Sequence, residues 1–233
     1  MTTKALLCNG SRELGAFVIY MDATFKLNSV GYPVLVCGIT DASRSFHLLA
    51  LFTTSQLQHE HFTAALVALR RMYARVNGAD FQVEFVLGDA DKEYEAFRDV
   101  FVDCSFKYLM CFYHVVAKLR ERTHGLSSEL SALVYKGVYD LLFTHSEAEF
   151  VQLKATMLKD WAGQADLTAF TAYVKAQWLT GNFENWQFFL SPPGYATTNN
   201  PVEQFNRALK RDYTHHRQLK MGLLLTQLLA CCG

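Results

Sequence analysis

The spacing of apolar positions changes period several times along this chain. In 16–24 both phases of a two-residue alternation are apolar: Ala16, Val18 and Tyr20 in one, Phe17, Ile19 and Met21 in the other. That pattern predicts a strand covered on both faces, and it carries one carboxylate, Asp22. Gly31-Tyr32-Pro33 turns the chain into a second strand at 34–40, and Asp41-Ala42-Ser43-Arg44 into a third at 45–53. Short turns between three strands predict an antiparallel meander.

A helical period follows. Phe62, Leu66, Leu69, Tyr73 and Val76 form one stripe, with Thr54 or Ser55 as the expected cap and Gly78 beyond the end. Residues 81–87 alternate again and end at Gly88-Asp89; 91–101 return to helical spacing through Tyr94, Phe97 and Phe101. A short strand at 105–110 and a helix at 111–122 follow, and helical patterns then occupy 128–143, 146–161 and 167–179. An aromatic loop region at 180–199 leads to a last helix through Val202, Phe205, Leu209 and Tyr213, with Pro201 in its first turn. The order β-β-β-α-β-α-β-α, then a helical block, then a closing helix, is that of an α/β RNase H-like domain: a mixed five-stranded sheet flanked by helices.

Asp22 is the position that chemistry must explain, because a buried carboxylate is costly unless it has a donor, a cation or a metal beside it. Asp89 ends the fourth strand, and Glu203 lies in the first turn of the closing helix. In the expected fold the three converge, and three carboxylates suit Mg²⁺ or Mn²⁺. A pair of such ions is the arrangement used in phosphodiester chemistry. On residue types alone each acid also has a local role, as strand-end turn former or helix-dipole partner.

Composition narrows the classes. With 51% hydrophobic and 19% charged residues, a sizeable core is expected rather than disorder. Basic and acidic residues number 22 each, so any nucleic-acid surface must be local. Arg207, Lys210 and Arg211 make such a stripe on the Glu203 helix at spacings of three and four, and Lys26, Asn28, Lys92, Asn199, Asn200 and Asn206 are further candidates for phosphate contact. Six scattered cysteines suit a reducing compartment. No secretory signal or membrane-length apolar run is visible. A start close to a strand and an end inside an apolar helical pattern suggest part of a longer product.

Four stretches together resemble the catalytic domain of Mutator-like (MULE) transposases, a DDE family: MDATFKLN with YPVLVCGITD, VLGDADKEYEAFRDVF, YLMCFYHVVAKL and TTNNPVEQFNRALK. The resemblance implies that Asp22, Asp89 and Glu203 are the catalytic, metal-holding triad, using two Mg²⁺ or Mn²⁺ ions. It divides the chain into a first part of the core at 1–124, a helical insertion at 125–198 and a closing part of the core at 199–233. Asp91 is the rival second acid; it reads as the cap of the following helix, and the family pattern aligns on Asp89. Cys111 and His114 form a C-x-x-H pair that the family carries beside its active site. As a zinc site the pair is incomplete, so zinc is not expected.

The implied function is metal-dependent DNA cleavage and strand transfer, with transposon ends and target DNA as partners, no membrane, homo-oligomerisation on DNA and a nuclear location. Relatives usually carry a DNA-binding domain before this core and a SWIM-type zinc finger after it. The alternatives are a domesticated DNA-binding regulator without catalysis, or another RNase H-like nuclease.

Overall fold

A computed structural model describes residues 1–89 and 91–233, with Asp91 described by its backbone alone. The chain packs as two compact units, residues 1–107 with 194–233, and residues 108–193. The resemblance places its helical insertion at 125–198.

The first unit opens with a five-residue helix, α1 (Lys4–Cys8), which the sequence pattern did not predict. The three-strand meander follows: β1 (Val18–Thr24), β2 (Val34–Thr40) and β3 (Phe46–Thr53). Then come α2 (His59–Asn77), β4 (Phe85–Gly88) and α3 (Asp91–Val100); β5 (Lys107–Met110) begins at the last residue of this segment, and its residues 108–110 belong to the second unit. The sheet order is β3-β2-β1-β4-β5, with β1 antiparallel to β2 and parallel to β4. This is the mixed RNase H-like sheet expected from the element order.

β1 is the central strand, and Val18, Ile19, Tyr20 and Met21 are all buried, as its double alternation requires. Its odd face is covered by α2 and the end of α3: Phe17 stacks on Phe81 at 6.1 Å, and Phe81 meets Tyr73 at 4.7 Å and Phe101 at 6.1 Å. β4 is shorter than its alternation suggests. Phe81 and Val83 are buried, but the ladder pairs Ile19 with Val86 and Tyr20 with Leu87. Residue 84 would need Phe17 as partner, one residue before β1 begins. Alternation reports burial; a strand also needs a neighbour for its backbone.

α2 is capped by neither Thr54 nor Ser55; Gln58 precedes it without a side-chain cap, and Gly78 ends it in the left-handed conformation.

The opposite face of the sheet receives the last part of the chain. Helix α8 (Asn200–Ala208) packs on β1, β2 and β3, with Phe205 against Phe46 at 5.1 Å. It continues into a π turn at Leu209–Tyr213. Leu219 then exchanges backbone bonds with Leu27 and Ser29, both about 3 Å, tying the closing segment to the end of the β1 motif. A final helix spans Met221–Cys232 and is numbered α9 after the four helices of the second unit.

The second unit contains α4 (Phe112–Thr123), α5 (Ser128–Leu142), α6 (Glu147–Ala162) and α7 (Thr168–Trp178) around its own core. Val115, Leu119, Val138, Leu141, Trp161, Val174 and Trp178 are buried in it. The Trp186 indole donates to the Trp178 carbonyl at 2.7 Å. Ser146 caps α6 by accepting from the Glu149 amide, as its capping-box spacing predicts. Among the described residues no helix is long and apolar enough to cross a membrane.

Candidate functional site

Asp22 and Asp89 come together through strand register. Ile19 lies beside Val86 and Tyr20 beside Leu87, so counting on from these pairs brings residue 22 level with residue 89. Adjacent strands lie ~4.8 Å apart, so the two acids are offered at one end of neighbouring parallel strands. Asp22 is half-buried and held from two sides: the Ala23 amide donates to Oδ1 at 2.8 Å, and the Asn206 amide nitrogen donates to Oδ2 at 2.6 Å.

Asn206 therefore does something other than the phosphate contact expected of it. It is 7% exposed, and it clamps the carboxylate that the rest of the site would use. Glu203 precedes it by three residues and so shares its side of α8. Glu203 is half-buried in the first helical turn, where a negative charge is favoured.

A fourth acid at this end of the sheet escaped the sequence reading. Glu93, in the first turn of α3, is 1% exposed. Burial first, then the charges of Asp89 and Asp22, push its carboxyl well above the ordinary range. It also helps raise the buried Cys37 thiol, whose shift comes mainly from burial. A signal was present in the sequence: Glu93, Ala96, Phe97 and Val100 fall at i, i+3, i+4 and i+7, which places the acid on the buried stripe of its helix.

Among the described residues, no three His, Cys, Asp or Glu side chains are gathered closely enough to hold a metal ion as they lie. The donors at this end are carboxylate and amide oxygens, the set that suits a hard divalent cation. Two buried oxygens here, Glu93 Oε1 and Asn206 Oδ1, have no hydrogen-bond partner, and orphaned acceptors of this kind fit such a cation. The side chain of the rival acid Asp91 lies outside the described residues.

The remaining candidates separate by exposure. Lys26 is exposed, with φ at 63°, and Asn200 and Arg207 are exposed near one another, the Arg207 guanidinium 3.5 Å from the Asn200 amide oxygen. Lys210 and Arg211 lie in the π turn, whose wider winding breaks the three-and-four spacing read as one basic stripe. Arg211 is moreover paired with Asp212 through two bonds of 2.6 and 2.8 Å. Asn28 and Asn199 are buried, Asn28 bonding both backbone groups of Tyr32. Lys92 donates to the Gln58 side chain and the Leu57 carbonyl. In the second unit, Cys111 is buried before α4, and its carbonyl accepts from the His114 and Val115 amides.

A five-stranded mixed sheet in this order, with one acid on the central strand and another just past the end of its parallel neighbour, defines an α/β domain of RNase H-like architecture. Residues 18–118 match the MULE transposase domain, so the family resemblance read from the motifs is shown over that segment. The segment includes Asp22, Asp89, Cys111 and His114, while Glu203 lies beyond it. Among solved structures the chain is similar to the Mos1 transposase catalytic domain, described with raltegravir and Mg, at 15% identity and a TM-score of 0.25; the match spans 45% of this chain and 55% of that one. No curated protein matches the chain.

Proposed function

We propose that the chain is a DDE-type DNA transposase catalytic domain that performs metal-dependent strand cleavage and strand transfer. Asp22, Asp89 and Glu203 are the residues that would hold two Mg²⁺ or Mn²⁺ ions. The observation that carries this reading is the register that sets Asp22 level with Asp89, together with the Asn206–Asp22 bond that lays the Glu203 helix over the same strand.

Each residue has a defined task. Asp22 supplies a negative oxygen from β1, and Asp89 one from the residue just past β4. Glu203 adds a third from α8. Asn206 orients the Asp22 carboxylate. Lys26, Asn200 and Arg207, exposed on the same unit, are the candidates to receive the DNA backbone. Divalent ions, when bound, activate the attacking oxygen and neutralise charge on the phosphate and leaving oxygen. The partners are then transposon ends and target DNA, the active form is a homo-oligomer on DNA, and the site of action is the nucleus.

Paramagnetic Mn²⁺ titration of the purified chain tests the reading without requiring DNA affinity. Saturable binding is expected, and it should disappear in Asp89→Asn. Equal titration curves for the two proteins would refute a site at Asp89 and favour the domesticated, non-catalytic alternative. Asn206→Leu should keep the fold and weaken Mn²⁺ binding by ~10–100-fold, the usual cost of removing a group that orients a ligand. An unchanged affinity would show that the 2.6 Å bond to Asp22 has no bearing on the metal.

A further inference from the structure

Helix α4 carries two stripes. Phe112, Val115, Leu119 and Thr123 are its buried one, packed into the core of the second unit. The second runs through Tyr113, Val116, Ala117, Arg120 and His124, at i, i+3, i+4, i+7 and i+11, a spacing that sets all five on one side. With Glu121 these residues line an open groove of about 520 Å³ beside the helix. Tyr113 is 63% exposed there, with the His114 ring edge-on to it at 5.5 Å.

The charges along α4 are used unequally. Lys118 pairs with Glu121 at 3.0 Å, and the Arg122 guanidinium lies over the Tyr173 ring, 4.4 Å from its centroid. Arg120 and His124 are exposed, and neither side chain has a partner among the described residues. Glu121 is neutralised by Lys118, so the groove presents a net positive edge beside an aromatic face.

We infer that this side of α4 binds single-stranded DNA. An unpaired base stacks on Tyr113, the Arg120 guanidinium pairs with a phosphate of the same strand, and the His124 imidazole donates to another. Val116 and Ala117 form the apolar floor between them. Charge complementarity selects the occupant: free cations in line with an exposed ring hold a strand by its backbone and by the face of a base, whatever its sequence. Tyr113 and His124 are ~16 Å apart along the helix, roughly five nucleotides of a stacked strand. A duplex keeps its bases stacked on one another and offers none to Tyr113. That the strand is DNA rests on the proposed function above; the attraction of this face for a single strand does not.

Fluorescence anisotropy of the whole chain with a labelled oligothymidylate, in EDTA so that no metal takes part, tests the inference. Tyr113→Ala is expected to weaken binding about tenfold or more at every salt concentration, while Tyr113→Phe stays near wild type. Arg120→Gln should lower the slope of log affinity against log salt by about 0.7, the contribution of one phosphate contact on a single strand.

Absent binding by the wild type, or unchanged affinity in Tyr113→Ala, would overturn the inference. So would a duplex bound as tightly and weakened as much, or an RNA strand bound more tightly than DNA. A wild type that takes up no Mn²⁺ but shows the Tyr113 loss upholds this face while the catalytic reading fails. One that binds Mn²⁺ and shows no Tyr113 loss does the reverse.

Discussion

Asp22→Asn is expected to abolish metal-dependent strand cleavage while the protein stays folded. The loss should be on the order of 10³-fold or more, ~4 kcal/mol of transition-state stabilisation. Two effects act together. The substitution removes the charge that a divalent cation requires. It also disturbs the clamp, because Oδ1 now accepts from the Ala23 amide and Oδ2 from the Asn206 amide. An asparagine at 22 has only one oxygen, so its own NH₂ must face one of those donors. Asp89→Asn and Glu203→Gln should act in the same direction, and Asp91→Asn should be tolerated. Cleavage by purified variants on labelled DNA, with melting curves alongside, checks all four. Activity surviving at 22, 89 or 203 removes that residue from the triad, and loss at 91 reverses the choice of second acid.

Gly38→Ala is expected to cause the largest loss of stability, about 3 kcal/mol. Gly38 sits at the register shift where β2 crosses β3. A Cβ added there would collide with the tip of the Phe46 ring, lying 2.7 Å from Phe46 Cε2 and 2.6 Å from the His47 carbonyl oxygen. The ring can swing aside; the carbonyl belongs to the ladder and cannot. On a chain of this size the cost corresponds to a drop in Tm of roughly 6–12 °C. The damage should extend beyond stability, because Phe46 is the ring on which Phe205 of α8 rests. Mn²⁺ affinity should therefore fall in Gly38→Ala even well below its melting point. A Tm within a degree or two of wild type would show that the strand opens at the shift without cost.

The fold was legible wherever one period ran long enough. β2 is bounded as its apolar run indicates, and α2, α5 and α6 follow their stripes to within a few residues. Periodicity could not report the π turn, since Leu209 and Tyr213 also satisfy an α-helical spacing. Nor could it separate Phe81 and Val83, buried without a ladder, from true strand residues. The strand-end positions of Asp22 and Asp89 were legible because a charge follows an apolar run at each. Asn206 and Glu93 were not, for a shared reason. Each is a polar residue on a helix, where exposure is the ordinary expectation, and only tertiary packing shows that both face inward. Asn206 differs in no local way from Asn200, which is exposed six residues earlier.

The bond between Asp22 and Asn206 spans 184 residues of sequence, and the whole helical unit lies between its ends. At synthesis rates of 5–20 residues per second, roughly ten to forty seconds separate the first acid's emergence from that of the helix that orients it. While the helical unit is being made, a nascent chain thus holds Asp22 and Asp89 with neither Asn206 nor Glu203 to complete the arrangement. Termination after residue 89 and before residue 200 leaves a product with Asp22 and Asp89 but without Glu203 and without the clamp. On the proposed function such a product has neither the third acid nor the oriented first one, and no cleavage is expected of it.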